Sequence, residues 1–142
     1  MVEREIEIEA PLETVYQVIA DLEKYPEFLS TTRSVVTRKT AEGLEADFSI
    51  QVIKPISYTL KFRMNPPLGL QWEFVRGELM KTNSGGWRLE KISDSKTKAL
   101  YSVEATFGWM VPKALVEQVT KLQLPEMLNA FKHRAEEMVH RV

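Results

Sequence analysis

The chain has no cysteine, which removes disulfides, thiol nucleophiles and thiolate metal sites together. It also lacks an excess of either charge. Nineteen Lys and Arg stand against 20 Asp and Glu, a formal net charge of −1, so no global field draws nucleic acid or anionic lipid to it. No apolar run approaches the roughly 20 residues that a membrane span needs. Met1-Val2-Glu3-Arg4-Glu5 has none of the features of a signal peptide, and the expected location is cytoplasmic. There is no Gly-rich phosphate loop, no Ser–His–Asp pattern, no linker, no low-complexity tract and no internal repeat. What remains is 142 residues, 44% of them hydrophobic, expected to form one domain over 1–142 with a core large enough to enclose a cavity.

The chain opens on strict alternation, Val2-Glu3-Arg4-Glu5-Ile6-Glu7-Ile8-Glu9, the pattern of a half-buried strand. Ala10-Pro11 breaks it. Pro11 suits the start of a helix, where its missing N–H costs little, and Val15, Tyr16, Val18, Ile19 and Leu22 predict a helix over about 12–20. A second short helical turn is expected over about 24–28, with Pro26 preventing one continuous helix. From about residue 31 to 107, two-residue alternation is punctuated by turn signals: Glu42-Gly43, Lys54-Pro55, Asn65-Pro66-Pro67-Leu68-Gly69, Arg76-Gly77, Ser84-Gly85-Gly86 and Ser93-Asp94-Ser95. Apolar positions such as Phe48 and Ile50 alternate with polar ones such as Asp47 and Ser49, so one sheet face is wet and the other needs a cover. Residues 112–140 supply it, with Leu115, Val119, Leu122, Leu128, Phe131 and Ala135 near helical spacing. Pro125 should kink that helix.

Three blocks carry a family resemblance. The first is Asp21 with the turn Tyr25-Pro26-Glu27-Phe28. The second is Trp72-Glu73-Phe74-Val75-Arg76-Gly77-Glu78-Leu79 followed by Gly86-Trp87-Arg88-Leu89. The third is Phe107-Gly108-Trp109-Met110-Val111-Pro112 leading into the last helix. In this order the chain resembles the START-like polyketide cyclase/dehydrase (SRPBCC) superfamily, and most closely its branch of coenzyme Q-binding proteins and the ribosome-association toxin. The resemblance implies an α+β helix-grip fold: an antiparallel sheet of about six to seven strands, strongly curved around a long C-terminal helix, with two short helices after strand 1. It also implies a hydrophobic pocket, on a scaffold shared by carriers, cyclases, dehydratases and regulators.

On that basis the candidate ligand-binding residues come from the apolar sheet face and its cover. They are Phe48, Ile50, Tyr58, Leu60, Phe62, Trp72 and Phe74, then Trp87, Leu89, Tyr101, Val103 and Phe107, and from the helix Leu115, Val119, Leu122 and Phe131. The alternative is that the same side chains only fill the space between sheet and helix. Tyr25 and Phe28 sit at a cavity mouth or plug one end of the core; Met64 and Leu68 mark a second candidate mouth. Tyr58 and Tyr101 are the hydroxyls best suited to bond a ligand oxygen, the alternative being satisfied core tyrosines. Arg76 continues the phase of Trp72 and Phe74, or a bulge near Gly77 turns it to the rim. His133 with Glu137 and Glu136 with His140 lie at i, i+4, a spacing that reads as solvated ion pairs rather than a metal site. No cofactor, metal or catalytic residue is expected.

Three functions compete. The first is a non-enzymatic carrier or chaperone of a lipid, isoprenoid quinone or polyketide-like molecule. The second is a polyketide aromatase/cyclase or dehydratase, and the third a macromolecule-interaction module of the ribosome-association toxin type. A hydrophobic small molecule is the expected partner and nucleic acid is not. A transient membrane contact is compatible with the chain, a transmembrane segment is not.

Overall fold

In the computed structural model, residues 1–52 and 54–140 are described. Strand β1 (Val2–Ile8) leads into helix α1 (Leu12–Ala20), a 3-10 turn (Leu22–Glu27) and six further strands: β2 (Thr32–Thr40), β3 (Gly43–Gln51), β4 (Pro55–Asn65), β5 (Gly69–Gly77), β6 (Met80–Ser93) and β7 (Lys96–Phe107). Helix α2 (Lys113–Gln118), a π-helical turn (Val119–Gln123) and helix α3 (Leu124–Val139) close the chain. All neighbouring strands are antiparallel, in the order β1-β7-β6-β5-β4-β3-β2, so the first strand returns to pair with the last. This is the helix-grip architecture, with β5 at the centre of the sheet.

The break after β1 is a buried one. Ala10 is fully enclosed, and its carbonyl accepts a hydrogen bond at 2.8 Å from the hydroxyl of Thr97, itself wholly buried on β7. Burying an unmet carbonyl would cost about 1–3 kcal/mol, so Thr97 is what allows the chain to turn inside the protein. The 3-10 turn is held the same way: the Tyr25 hydroxyl donates to the Ile19 carbonyl at 2.5 Å.

Two local departures from the expected pattern matter. Ser84-Gly85-Gly86 is no turn; it lies within the long strand β6. Gly85 pairs with Trp72 on β5 and Val103 on β7, and a Cβ there would meet Trp72 Cζ2 at 2.7 Å and the Ser102 carbonyl. The glycine is a seat for the indole, not a hinge. Arg76 is the second. A register shift between Thr59 and Leu60 pairs Leu60 with Phe74 but Thr59 with Arg76, which leaves Val75 unopposed. That bulge throws Arg76 onto the outer face, 3.9 Å from Asp47. There Arg38 bridges Glu45 and Asp47 at 2.8 Å each, and Thr59 donates to Asp47 at 2.6 Å. Hydrogen bonds from Arg38 and then Thr59 hold the Asp47 carboxyl below the usual aspartate range.

The C-terminal helix bends where Pro125 requires it. The Leu124 N–H reaches back five residues to the Val119 carbonyl, so the turn widens just before the proline enters the first turn of α3. The extra width shifts the helical phase. Leu122, expected to face the sheet, is turned out and is 61% exposed.

Replacing Gly85 by Ala should destabilise the protein by roughly 2–4 kcal/mol, because neither the Ser102 carbonyl nor the Trp72 ring has room to yield. Urea unfolding followed by circular dichroism checks this; a loss below 0.5 kcal/mol, the ordinary surface range of about ±0.5, would contradict it.

Candidate functional site

The concave side of the sheet is divided in two. In one half the space is filled. Phe131 on α3 packs its ring against Tyr25, Phe28 and Trp87, each at a centroid distance of 5.2 Å. Trp87 meets Tyr101 edge-on at 4.9 Å, and Phe62 touches both Phe48 and Trp72 at 6.0 Å. Leu60 and Leu89 complete this core, with Phe74 packed at its margin. Helix α1 lies over β5, β6 and β7 and against α3, sealing that half.

In the other half a cavity of about 290 Å³ remains. Its sheet wall is made by Ile50, Ile56, Tyr58, Asn83, Tyr101 and Val103, and its outer end by Ala105, Phe107 and Met80. Val111, Leu115, Val116, Val119 and Thr120 form the helical side, continued by Met127 and Ala130 on α3. Phe28 with Ser30, Thr31 and Thr32 borders it from the segment after the 3-10 turn. Two things keep the space open: the bent path of the helix before Pro125, and small side chains (Ala105, Ala130) at inward positions.

The expected site residues therefore part company. Ile50, Tyr58, Tyr101, Val103, Phe107, Leu115 and Val119 border the cavity, as does Phe28. Phe48, Leu60, Phe62, Trp72, Phe74, Trp87, Leu89 and Phe131 belong to the filled half. Tyr25 is buried in that core, and Leu122 points to the surface. Met64 packs at the core margin and Leu68 is 49% exposed; neither borders the cavity. Asn83 was not among the expected residues, although a signal exists: it shares the inward phase of Gly85, Trp87 and Leu89, a polar side chain in an apolar register.

The polar groups on the wall are few and uncharged. The Asn83 Oδ1 accepts a hydrogen bond from the Trp72 indole at 2.9 Å, and its amide nitrogen lies 3.5 Å from the Met80 sulfur. Tyr58 stacks on Phe48 at 5.3 Å, which holds its ring. Burial pushes the Tyr58 phenol up to about 12. Tyr101 is raised further, by burial first and by the neighbouring Tyr58 second. Both remain neutral donors throughout the physiological range and neither can serve as a ready base. Among the bordering residues the one charged side chain is Glu126, itself exposed. His133 and Glu137 lie 3.7 Å apart on the outside of α3, with His133 82% exposed.

A curved sheet gripping a helix around an apolar cavity defines the START-like class. The sequence agrees: residues 8–132 match the family model described as polyketide cyclase / dehydrase and lipid transport, and the chain belongs to that family. No curated protein matches it. Among solved structures it is similar to the Zhui aromatase/cyclase from Streptomyces sp. R1128, with a TM-score of 0.86, 17% identity, and coverage of 97% of this chain and 94% of that one. It is likewise similar to a START superfamily protein from Mycobacterium smegmatis, with a TM-score of 0.84, 13% identity, and coverage of 96% and 97%. The di-domain ARO/CYC StfQ from the steffimycin biosynthetic pathway matches over 99% of this chain and 46% of its own, with a TM-score of 0.79 and 18% identity. At these identities the likeness is one of fold.

The raised phenols set an alkaline limit. Tyr25, Tyr58 and Tyr101 all sit above the ordinary tyrosine value of 10.0, so above that pH the unfolded chain releases protons that the folded one retains. Their contribution is complete below pH 10.0 and is lost as pH rises through the folded values. Thermal unfolding should show a falling midpoint beyond that point, and the slope should flatten in Tyr58→Phe/Tyr101→Phe. An equal slope in that variant would refute the assignment.

Proposed function

We propose that this protein is a carrier or chaperone that holds a hydrophobic small molecule (a lipid, an isoprenoid quinone or a polyketide-like compound) between the sheet and the C-terminal helix. The observation that carries the reading is the apolar cavity of about 290 Å³ between the sheet and the C-terminal helical segment, bordered among the described residues by neutral groups except at Glu126. That volume lies at the small end of ligand pockets, about 300–1,000 Å³. It suits a ring or a short chain, with the remainder of a longer ligand leaving past Phe28. Burying about 200 Å² of apolar ligand surface contributes roughly 5 kcal/mol without any charged contact. The family's description, which includes lipid transport, supports the same reading. Among the described residues no helix is long and apolar enough to cross a membrane. The carrier is proposed to work in the cytoplasm.

A second reading is polyketide aromatase/cyclase activity. What favours it is the set of hydrogen-bond donors on the cavity wall, together with the fold shared with two proteins described as aromatase/cyclases. The two differ in the fate of the bound molecule. A carrier returns it with its mass unchanged, whereas a dehydrating cyclase releases it lighter by one water.

Native mass spectrometry of the purified protein, with and without added polyprenyl quinone or short polyketide mimic, should detect a non-covalent complex whose ligand keeps its mass. Ala130→Trp fills the cavity from α3 and should abolish the complex while moving the thermal midpoint by only a few degrees, about the effect of 1 kcal/mol. A wild-type protein that retains none of these compounds would sink the carrier reading.

A further inference from the structure

Tyr58, Tyr101 and Asn83 stand on three different strands, β4, β7 and β6, and all three border the same cavity. Neither phenol makes a hydrogen bond to any described residue. Yet no buried side-chain oxygen or nitrogen among the described residues is both sealed from solvent and unpartnered, so each phenol oxygen keeps some accessible surface. Tyr101 is only 8% exposed and borders the cavity, as do Tyr58 and Asn83. Asn83 is oriented as a donor. Its oxygen is engaged by the Trp72 indole, so the amide nitrogen is the end left over, with only the weak Met80 sulfur as partner.

We infer that these three residues form a neutral donor site on the inner wall, which selects ligands carrying an uncharged carbonyl oxygen over the same skeleton with no oxygen or with a carboxylate. The inference rests on reading the cavity as a ligand site and adds which chemistry it prefers. A carbonyl oxygen has two lone pairs and can accept from a phenol or from the Asn83 amide; Tyr58 lies near enough to Tyr101 to act on its titration, so the two phenols face one region of the cavity. A hydrocarbon strips solvent from the same donors and returns nothing, so it forfeits affinity. A carboxylate fares no better. Among the described residues no Lys, Arg or His borders the cavity to compensate a buried negative charge, and Glu126 at its edge repels one. Tyr58 and Tyr101 act here as specificity-determining residues. Phe48 under Tyr58 and Trp87 beside Tyr101 fix their rings before the ligand arrives.

The test uses the full chain and three probes of equal carbon number: octane, methyl hexyl ketone and octanoate, at about pH 8 where the acid is ionised. Displacement of the neutral dye Nile red reads affinity, and the infrared carbonyl stretch of the bound ketone reads hydrogen bonding directly. The ketone should bind about ten-fold more tightly than either rival, with its carbonyl band at lower frequency than in hexane. Tyr58→Phe and Tyr101→Phe should each weaken the ketone roughly three- to ten-fold, strengthen octane by relieving it of the donor's desolvation cost, and return the band toward its hexane position. A ketone that binds no better than octane, a carboxylate that matches it, or an unshifted band in wild-type protein overturns the inference while leaving the hydrophobic cavity standing. Failure of all three probes to displace the dye overturns both. The wild-type selectivity and the band position need no variant, so a misfolded mutant does not spoil the test.

Discussion

The packing of Phe131 is the contact on which the arrangement depends. One ring on α3 meets Tyr25 and Phe28 from the 3-10 turn and its C-terminal end and Trp87 from β6, each at a centroid distance of 5.2 Å. Aromatic contacts of this kind add about 0.5–1.5 kcal/mol each beyond the area they bury. More important is where they act. They fix the C-terminal helix against the sheet at one point along its length, and the helix is free to diverge on the other side of that point.

Divergence is built in by Pro125. The π-helical turn just before Pro125 breaks the regular helix there, and Val119, Thr120 and Gln123 of that turn border the cavity. The cavity thus lies between a tight grip at Phe131 and an irregular turn eight to twelve residues earlier. The filled half supplies the stability that an internal void takes away, since a cavity forgoes the dispersion contacts of its lining. The bulge opposite Thr59 turns Arg76 to the outer face, beside Asp47.

Much of this was legible in the sequence. The first strand, the helix over 12–20 and the two-residue alternation from about 31 to 107 follow from side-chain period, because a one-residue slip of a strand would turn its apolar side chains to water. Pro125 announced the bend. What periodicity could not separate was the lining from the core. Trp72, Trp87 and Tyr101 all occupy inward positions, yet two of them are spent on filling space and one borders the cavity. Gly85 was misread as a turn because a glycine between polar residues looks the same whether it bends the chain or admits an indole. Leu122 was misread because its inward phase assumed 3.6 residues per turn, and the π-helical turn does not keep that count.

The sequence by itself determined which faces are apolar, where the chain turns and which family it belongs to, since all three are recorded in local spacing and residue order. Tertiary structure alone decided that the apolar interior is half solid and half hollow. It also decided that Tyr58, Tyr101 and Asn83 border one cavity. The reason is physical: a void is a property of the distance between two packed surfaces, and that distance is set by a few large side chains and one bent helix, not by any pattern along the chain.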